Sequence, residues 1–309
     1  MATQSDAGSR AATKTGMVLC ITAMIIFAVQ DALAKSVVAT YPISQFLLVR
    51  YWIFVVGAVI FVSRSAGLKR AFTSKRPFLQ IVRSFLVMSE TFVFIWGLQY
   101  MGLAETHAIF AISPLLATGL AGLLLHEQIG WRRITALLVG FAGALLIIKP
   151  GMQAFNVAAL IPLTAALMFA FYNIITRYTG QVDVYQTSLL YMAVVGAICI
   201  TPIGINEWIT PTPGAMGVMI IAAIFAISAH LLLIKSLQLA AASVIQPFSY
   251  FLLIAATAIG IGFFGERPDL ASYIGGALVV ASGLFTLFRE QYLARQRGSA
   301  GQQAAGPAA

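Results

Sequence analysis

Ten stretches of this chain are each long and apolar enough to cross a lipid bilayer as a helix: 17–36, 43–63, 78–98, 104–125, 131–149, 155–176, 185–205, 214–234, 241–264 and 270–288. A hydrocarbon core about 30 Å thick needs about 20 such residues, because a helix rises about 1.5 Å per residue. Lipid offers backbone N–H and C=O groups no partner, so each stretch must satisfy its own hydrogen bonds as a helix. The connections are short and carry breakers: Tyr41-Pro42, Lys149-Pro150-Gly151, Pro211-Thr212-Pro213 and Arg267-Pro268-Asp269. The pattern predicts an all-α integral membrane protein with ten transmembrane helices. Only 9% of the 309 residues are charged. A soluble domain carries about 25%, so this chain could not cover itself with a wettable surface.

The charges test the count. With the N-terminus inside, the inner segments hold Arg10, Lys14, Arg64, Lys69, Arg70, Lys75, Arg76, Arg132, Arg133, Arg177, Lys235, Arg289, Arg295 and Arg297. The outer loops hold only Lys35, Lys149 and Arg267, while Arg50 and Arg83 fall within spans. This bias predicts cytoplasmic termini in the inner membrane and explains the net charge of +9 without nucleic acid. Residues 1–16 and the Gly/Ala/Gln-rich stretch from Gly298 to Ala309 read as disordered tails. Cys20 and Cys199 sit singly in apolar runs, so neither a disulfide nor a metal site is expected, and no cofactor.

The halves resemble each other. Leu98-Gln99 is followed by Glu127, and Leu237-Gln238 by Glu266 at the same separation. Phe27-Ala28-Val29-Gln30-Asp31 with Lys35 aligns with Phe169-Ala170-Phe171-Tyr172-Asn173 with Arg177, and Gln45 aligns with Gln186. Each half holds an odd number of spans, so a second copy enters the membrane inverted. Two inverted five-helix repeats, 17–149 and 155–288, flanked by tails 1–16 and 289–309, are the organisation expected.

Ordered motifs add a resemblance. The first half carries Ala111-Ile112-Ser113-Pro114-Leu115, Leu125-His126-Glu127, Trp131-Arg132-Arg133, Gly140-Phe141-Ala142-Gly143 and Lys149-Pro150-Gly151. The second carries Pro247-Phe248-Ser249-Tyr250 and Phe264-Gly265-Glu266-Arg267-Pro268-Asp269. Over about residues 15–290 the chain resembles the drug/metabolite transporter superfamily, in particular its EamA branch, with His126-Glu127 where Gly-Glu is commoner. The resemblance implies a central cavity open to one side at a time and ATP-independent transport of a small organic metabolite. Riboflavin-like vitamins, amino acids and S-adenosylmethionine all fall within that class.

A charge at the bilayer centre costs about 2.5–3.5 kcal/mol on insertion scales, so polar residues at membrane depth need a reason. The candidates for substrate binding or coupling are Asp31, Arg50, Arg83, Glu90, His107, Tyr172, Asn173, His230 and Tyr250, with helix bends at Pro114 and Pro247. Arg83 and Glu90, seven apart, share a helix face and could be bridged by a substrate. Asp31 and Lys35, four apart, suit an ion pair within one helix. Arg50 offers a fork for an anion or a partner for Asp31 or Glu90. Glu127 and Glu266 read as loop-ordering groups or caps for the following helix. Recurrent glycines, among them Gly140, Gly143 and Gly275, read as close-contact positions.

The function expected is secondary transport of a small polar metabolite, driven by a proton or other coupling ion or by exchange, from a monomer or homodimer in the bilayer. The alternatives are a membrane-embedded lipid enzyme, for which HExxH and GxSxG are absent, and a non-transporting receptor or scaffold.

Overall fold

The computed structural model describes residues 2–65, 67–125, 131–148, 157–239 and 242–304. Those residues form helices and short turns, with no strand among them. Among them, nine helical stretches are long and apolar enough to cross a membrane, and a shorter apolar one, Ile134–Ile148, stands where the fifth span was expected. The first half comprises α1 (Ala2–Val38), α2 (Ile43–Ser65), the short α3 (Leu68–Phe72), α4 (Pro77–Tyr100), α5 (Leu103–Phe110), α6 (Ser113–Leu125) and α7 (Trp131–Ile148). The second comprises α8 (Leu160–Thr179), α9 (Tyr185–Asn206), α10 (Pro213–Leu239), α11 (Ala242–Ile245), α12 (Phe251–Phe264) and α13 (Leu270–Ala304).

The tails differ from expectation. α1 begins at Ala2 and α13 continues to Ala304, so the described parts of both polar ends are helical extensions of their spans. Ala-rich sequence loses little side-chain entropy in a helix, and a formed span supplies the nucleus that such a stretch lacks alone. His126, Glu127 and Lys149-Pro150-Gly151 lie outside the described residues.

The fourth and ninth spans are each built from pieces. α5 and α6 are separated by a turn at Ala111-Ile112, just before Ser113-Pro114. α11 and α12 are separated by a 3-10 turn, Gln246–Tyr250, which contains Pro247. Proline lacks an N–H and crowds the preceding turn, so a helix meeting one is interrupted. A helix break therefore lies beside each of the two prolines.

Packing follows one scheme in both halves. α1 packs on α10 and α4 on α8; α1 meets α12 and α6 meets α8; α4 touches α9 and α10 touches α2. α2 packs on α9, α7 on α13 and α5 on α12. Exchanging first span for sixth, second for seventh and so on turns each pair into another of the same set. The α7–α13 contact is backbone-close. A Cβ on Gly143 would stand 2.7 Å from the carbonyl oxygen of Gly275, so glycine is required there.

The end of the bundle that carries the 64–76 segment is tied across the halves by Asp183, in the turn after α8. Its carboxylate accepts hydrogen bonds from Ser74 Oγ at 2.5 Å, the Lys75 backbone N–H at 2.9 Å and Gln80 Nε2 at 2.9 Å. Burial works to raise the pKa of this carboxyl. The bonds from Gln80, Ser74 and Lys75, with the Lys75 charge, outweigh it and hold the group below its ordinary 3.8. A carboxyl depressed by folding stabilises the native state above its unfolded pKa, and that contribution is lost as pH falls through the folded value. The melting temperature in detergent should therefore drop as pH falls below about 4. An Asp183→Asn variant should begin lower at neutral pH and show a shallower drop. Parallel curves for the two proteins would remove Asp183 from that role.

At the opposite end, Glu207 accepts a hydrogen bond from Ser44, and Gln45 exchanges two with the backbone of Ile209, at 2.8 and 3.0 Å.

Candidate functional site

Between the halves lies a cavity of about 380 Å³. Its polar lining comes from Gln30 and Asp31 on α1, Arg50 on α2, Glu90 and Thr91 on α4, His107 on α5 and His230 on α10. Ala111, Ser113, Pro114, Ser249 and Tyr250 bring the two helix breaks to its wall. An interrupted helix leaves backbone polar groups without their usual partners, which lipid would not tolerate but a cavity does.

Asp31 is held from two sides. Gln30 Nε2 donates to Oδ1 at 2.7 Å, and His107 Nε2 stands 3.3 Å from Oδ2, an ion-pair distance whose geometry falls short of a hydrogen bond. Among the described residues, Glu90 has one hydrogen-bond contact, at a long 3.4 Å from Thr91 Oγ1. His230 Nδ1 lies 2.8 Å from the carbonyl of Ala226. A carbonyl only accepts, so Nδ1 carries a proton. Its ring also packs edge-on against Phe27, with centroids 4.9 Å apart.

Rings form a continuous wall. His107 and Phe94 have centroids 5.0 Å apart, Phe94 and Phe110 5.0 Å, Phe110 and Phe169 5.3 Å, and Phe169 stacks on Tyr172 at 5.5 Å. Tyr172 does not line the cavity. It lies under Arg83, whose guanidinium is 5.3 Å from the ring centroid and donates to its hydroxyl at 3.2 Å. Arg83 also donates to Gln80 Oε1, Thr176 Oγ1 and the Ser188 carbonyl. So Arg83 and Glu90 share a face of α4 but serve different neighbourhoods, and only Glu90 reaches the cavity. Arg83 is 2% exposed and does not snorkel. Removing it would leave Tyr172, Gln80 and Ser188 short of partners, each at about 1–3 kcal/mol. Arg83→Met is expected to destabilise by about 3 kcal/mol and Tyr172→Phe by about 1 kcal/mol, read as thermal unfolding in detergent. Equal melting of Arg83→Met and the parent would contradict the clamp. Asn173 bonds back to Phe169 O of its own helix at 2.9 Å and is likewise outside the lining.

Asp31 and Lys35 do not pair. Lys35 Nζ instead contacts Glu266 Oε1 at 2.6 Å and the Met101 carbonyl at 2.8 Å. Glu266 in turn accepts from the backbone N–H of Leu103 at 2.8 Å and of Ala104 at 3.4 Å. It thus caps α5, a helix from the other half, while Asp269 caps α13 through the Ser272 N–H at 2.9 Å. A Cβ at Gly102 or Gly260 would overlap the Glu266 carboxylate, so the tie depends on two glycines. Around it Ala34, Val37, Val38, Leu98 and Leu103 are buried together. The cavity is closed at that end and extends from Asp31 and His107 toward Met24, Leu233 and Tyr250.

Sequence reasoning missed Gln80, Asp183 and the Lys35–Glu266 tie. Gln80 lies one turn before Arg83 on α4, a spacing that would have paired them. Among the described residues, no group of three or more His, Cys, Asp or Glu side chains is arranged to hold a metal ion.

The comparisons with known proteins agree with this architecture. One solved crystal structure, 18% identical, shares the fold with a TM-score of 0.58 over 91% of this chain and 99% of that one. A riboflavin transporter of Vibrio cholerae is 28% identical over 278 residues, covering 87% of this chain and 92% of that protein. An S-adenosylmethionine uptake transporter of Rickettsia bellii is 27% identical over 223 residues, 72% of this chain and 77% of that protein. A pseudopaline exporter of Pseudomonas aeruginosa is 24% identical, covering 87% and 94% of the two chains. The EamA-like transporter family model matches twice, over residues 14–149 and 156–288, once for each half of the bundle. A cavity enclosed by two matching halves and a family match over both of them make this chain a member of the EamA-like transporter family.

Proposed function

We propose that this protein is a secondary transporter that carries a small, ring-bearing polar metabolite across the cytoplasmic membrane by alternating access. The observation that carries the reading is the cavity between the halves, lined by opposed charges and a wall of rings and closed at one end by packed side chains and the Lys35–Glu266 tie. Inverted five-helix repeats suit such a machine, because rocking one half against the other exchanges which end is closed. The exchange-invariant packing scheme supports the repeat, and the excess of Lys and Arg supports cytoplasmic termini. In that orientation the closed end faces outward, which supports an inward-facing state.

The riboflavin and S-adenosylmethionine transporters among its relatives favour a flat heterocycle as cargo. Phe94, Phe110 and Phe169 offer such a ring its faces. Glu90, with one long hydrogen bond, is the group we assign to a coupling proton. The protein is read as a transporter and not a lipid enzyme, since the cavity presents charges and ring faces without a hydrolytic motif. The test is uptake into vesicles reconstituted with the purified protein, using radiolabelled riboflavin and S-adenosylmethionine with and without a pH gradient. Saturable accumulation of either supports the reading. Binding of solutes without flux would favour a receptor instead.

A further inference from the structure

Resting on that reading, the charges of the cavity narrow its cargo. Arg50 lines the cavity and also a side pocket of about 40 Å³ with Tyr51, Thr91 and His230. Among the described residues its guanidinium has no hydrogen bond and no ion pair within 4 Å, whereas Asp31, Glu90, His107, Arg83 and Lys35 each have a contact. Its charge acts on Glu90, Tyr51 and His230 from a distance. A guanidinium presents five donors in a rigid fork that matches a carboxylate. Arg50 is half-buried at the cavity wall, so its fork is open to whatever occupies the cavity. Neither His107 nor His230 offers an anion, and Asp31 is already held by Gln30 and His107.

We propose that Arg50 is the seat for a carboxylate of the transported molecule, and that Asp31 faces a cationic centre on the same molecule beside its ring. The cargo class is then a ring-bearing amino-acid zwitterion, not a neutral heterocycle. The competing arrangement is a self-contained Arg50–Glu90 pair that forms when the side chains rotate, which would leave the cavity indifferent to a carboxylate on the ligand.

The experiment is binding to the full-length detergent-solubilised protein, by thermal shift and equilibrium dialysis. The probes are two matched pairs: L-tryptophan against tryptamine, and S-adenosylhomocysteine against 5′-methylthioadenosine. In at least one pair the carboxylate-bearing member should bind about tenfold tighter or better, the difference of one charge-assisted contact. Arg50→Gln should erase that preference while leaving affinity for the carboxylate-free member within about twofold, and Arg50→Lys should restore part of it, as a point charge without the fork. Equal binding within both pairs, a preference that survives Arg50→Gln, or no binding by either carboxylate-bearing probe overturns the assignment. Preference without flux in vesicles would sink the transport reading and leave Arg50 as the anion seat. Flux of S-adenosylmethionine with an unchanged KM in Arg50→Gln would do the reverse.

Discussion

In a Glu266→Ala variant, a cysteine introduced as Ala34→Cys is expected to become reactive toward a membrane-impermeant maleimide added from outside. The background would carry Cys20→Ala and Cys199→Ala, which removes the two native thiols. Ala34 is fully buried in the packed end of the bundle, one residue before the lysine that Glu266 holds. Without the carboxylate, Lys35 keeps the Met101 carbonyl and loses its counter-charge, and the first N–H groups of α5 lose their cap. Breaking one partner of a buried ion pair costs about 3–5 kcal/mol in the state that contains it. Lys35 and Glu266 are 18% and 12% exposed, which puts this pair toward the lower end of that range. A state open at this end does not contain the contact and loses little. Each 1.4 kcal/mol of difference then moves the ratio of states about tenfold. Glu266→Gln, which still accepts from the α5 backbone, should label at an intermediate rate. Identical labelling of all three proteins would reduce the tie to ordinary packing.

The second large effect concerns coupling. Glu90→Gln is expected to cut pH-gradient-driven uptake by about tenfold or more while counterflow exchange of unlabelled for labelled substrate continues within about twofold. Glu90 is 6% exposed, faces the cavity and has one weak partner, so a proton can take its place beside the charge without breaking a network. Asp31 is different. Gln30 and His107 hold it, so Asp31→Asn should impair both modes and lower the melting temperature. The two readouts separate the roles: coupling lost alone points to the proton, and both lost together with stability points to architecture. If Glu90→Gln leaves gradient-driven uptake intact, the coupling ion binds elsewhere.

The positions of the spans along the chain were legible because hydropathy belongs to each residue and the bilayer sets the length. Asp31, Arg50, Glu90, His107, His230 and Tyr250 were legible as cavity residues for a related reason: a polar group at membrane depth has few places to be. What could not be read was which distant group each side chain meets. Lys35 had a neighbour four residues away that looked sufficient, yet its partner is 231 residues on. Arg83 and Glu90 do share a face, but a helix face says nothing about the depth at which Tyr172 or Arg50 crosses it. Asp183 gave no signal, since an acid in a polar turn is ordinary until Ser74, Lys75 and Gln80 converge on it. The helical extensions at Ala2 and Ala304 were missed because composition describes a free peptide and not one attached to a formed span.

Most of the polar ties described above join the first half to the second: Lys35 to Glu266, Ser44 to Glu207, Gln80 to Asp183, and Arg83 to Tyr172 and Ser188. On the ribosome, these partners arrive late. At about 5–20 residues per second, Lys35 emerges tens of seconds before Glu266 exists. The newly made first half therefore waits in the bilayer with Lys35 short of its counter-charge and Arg83 short of Tyr172, Thr176 and Ser188. Halves expressed separately should be degraded, and the same halves expressed together should rescue each other.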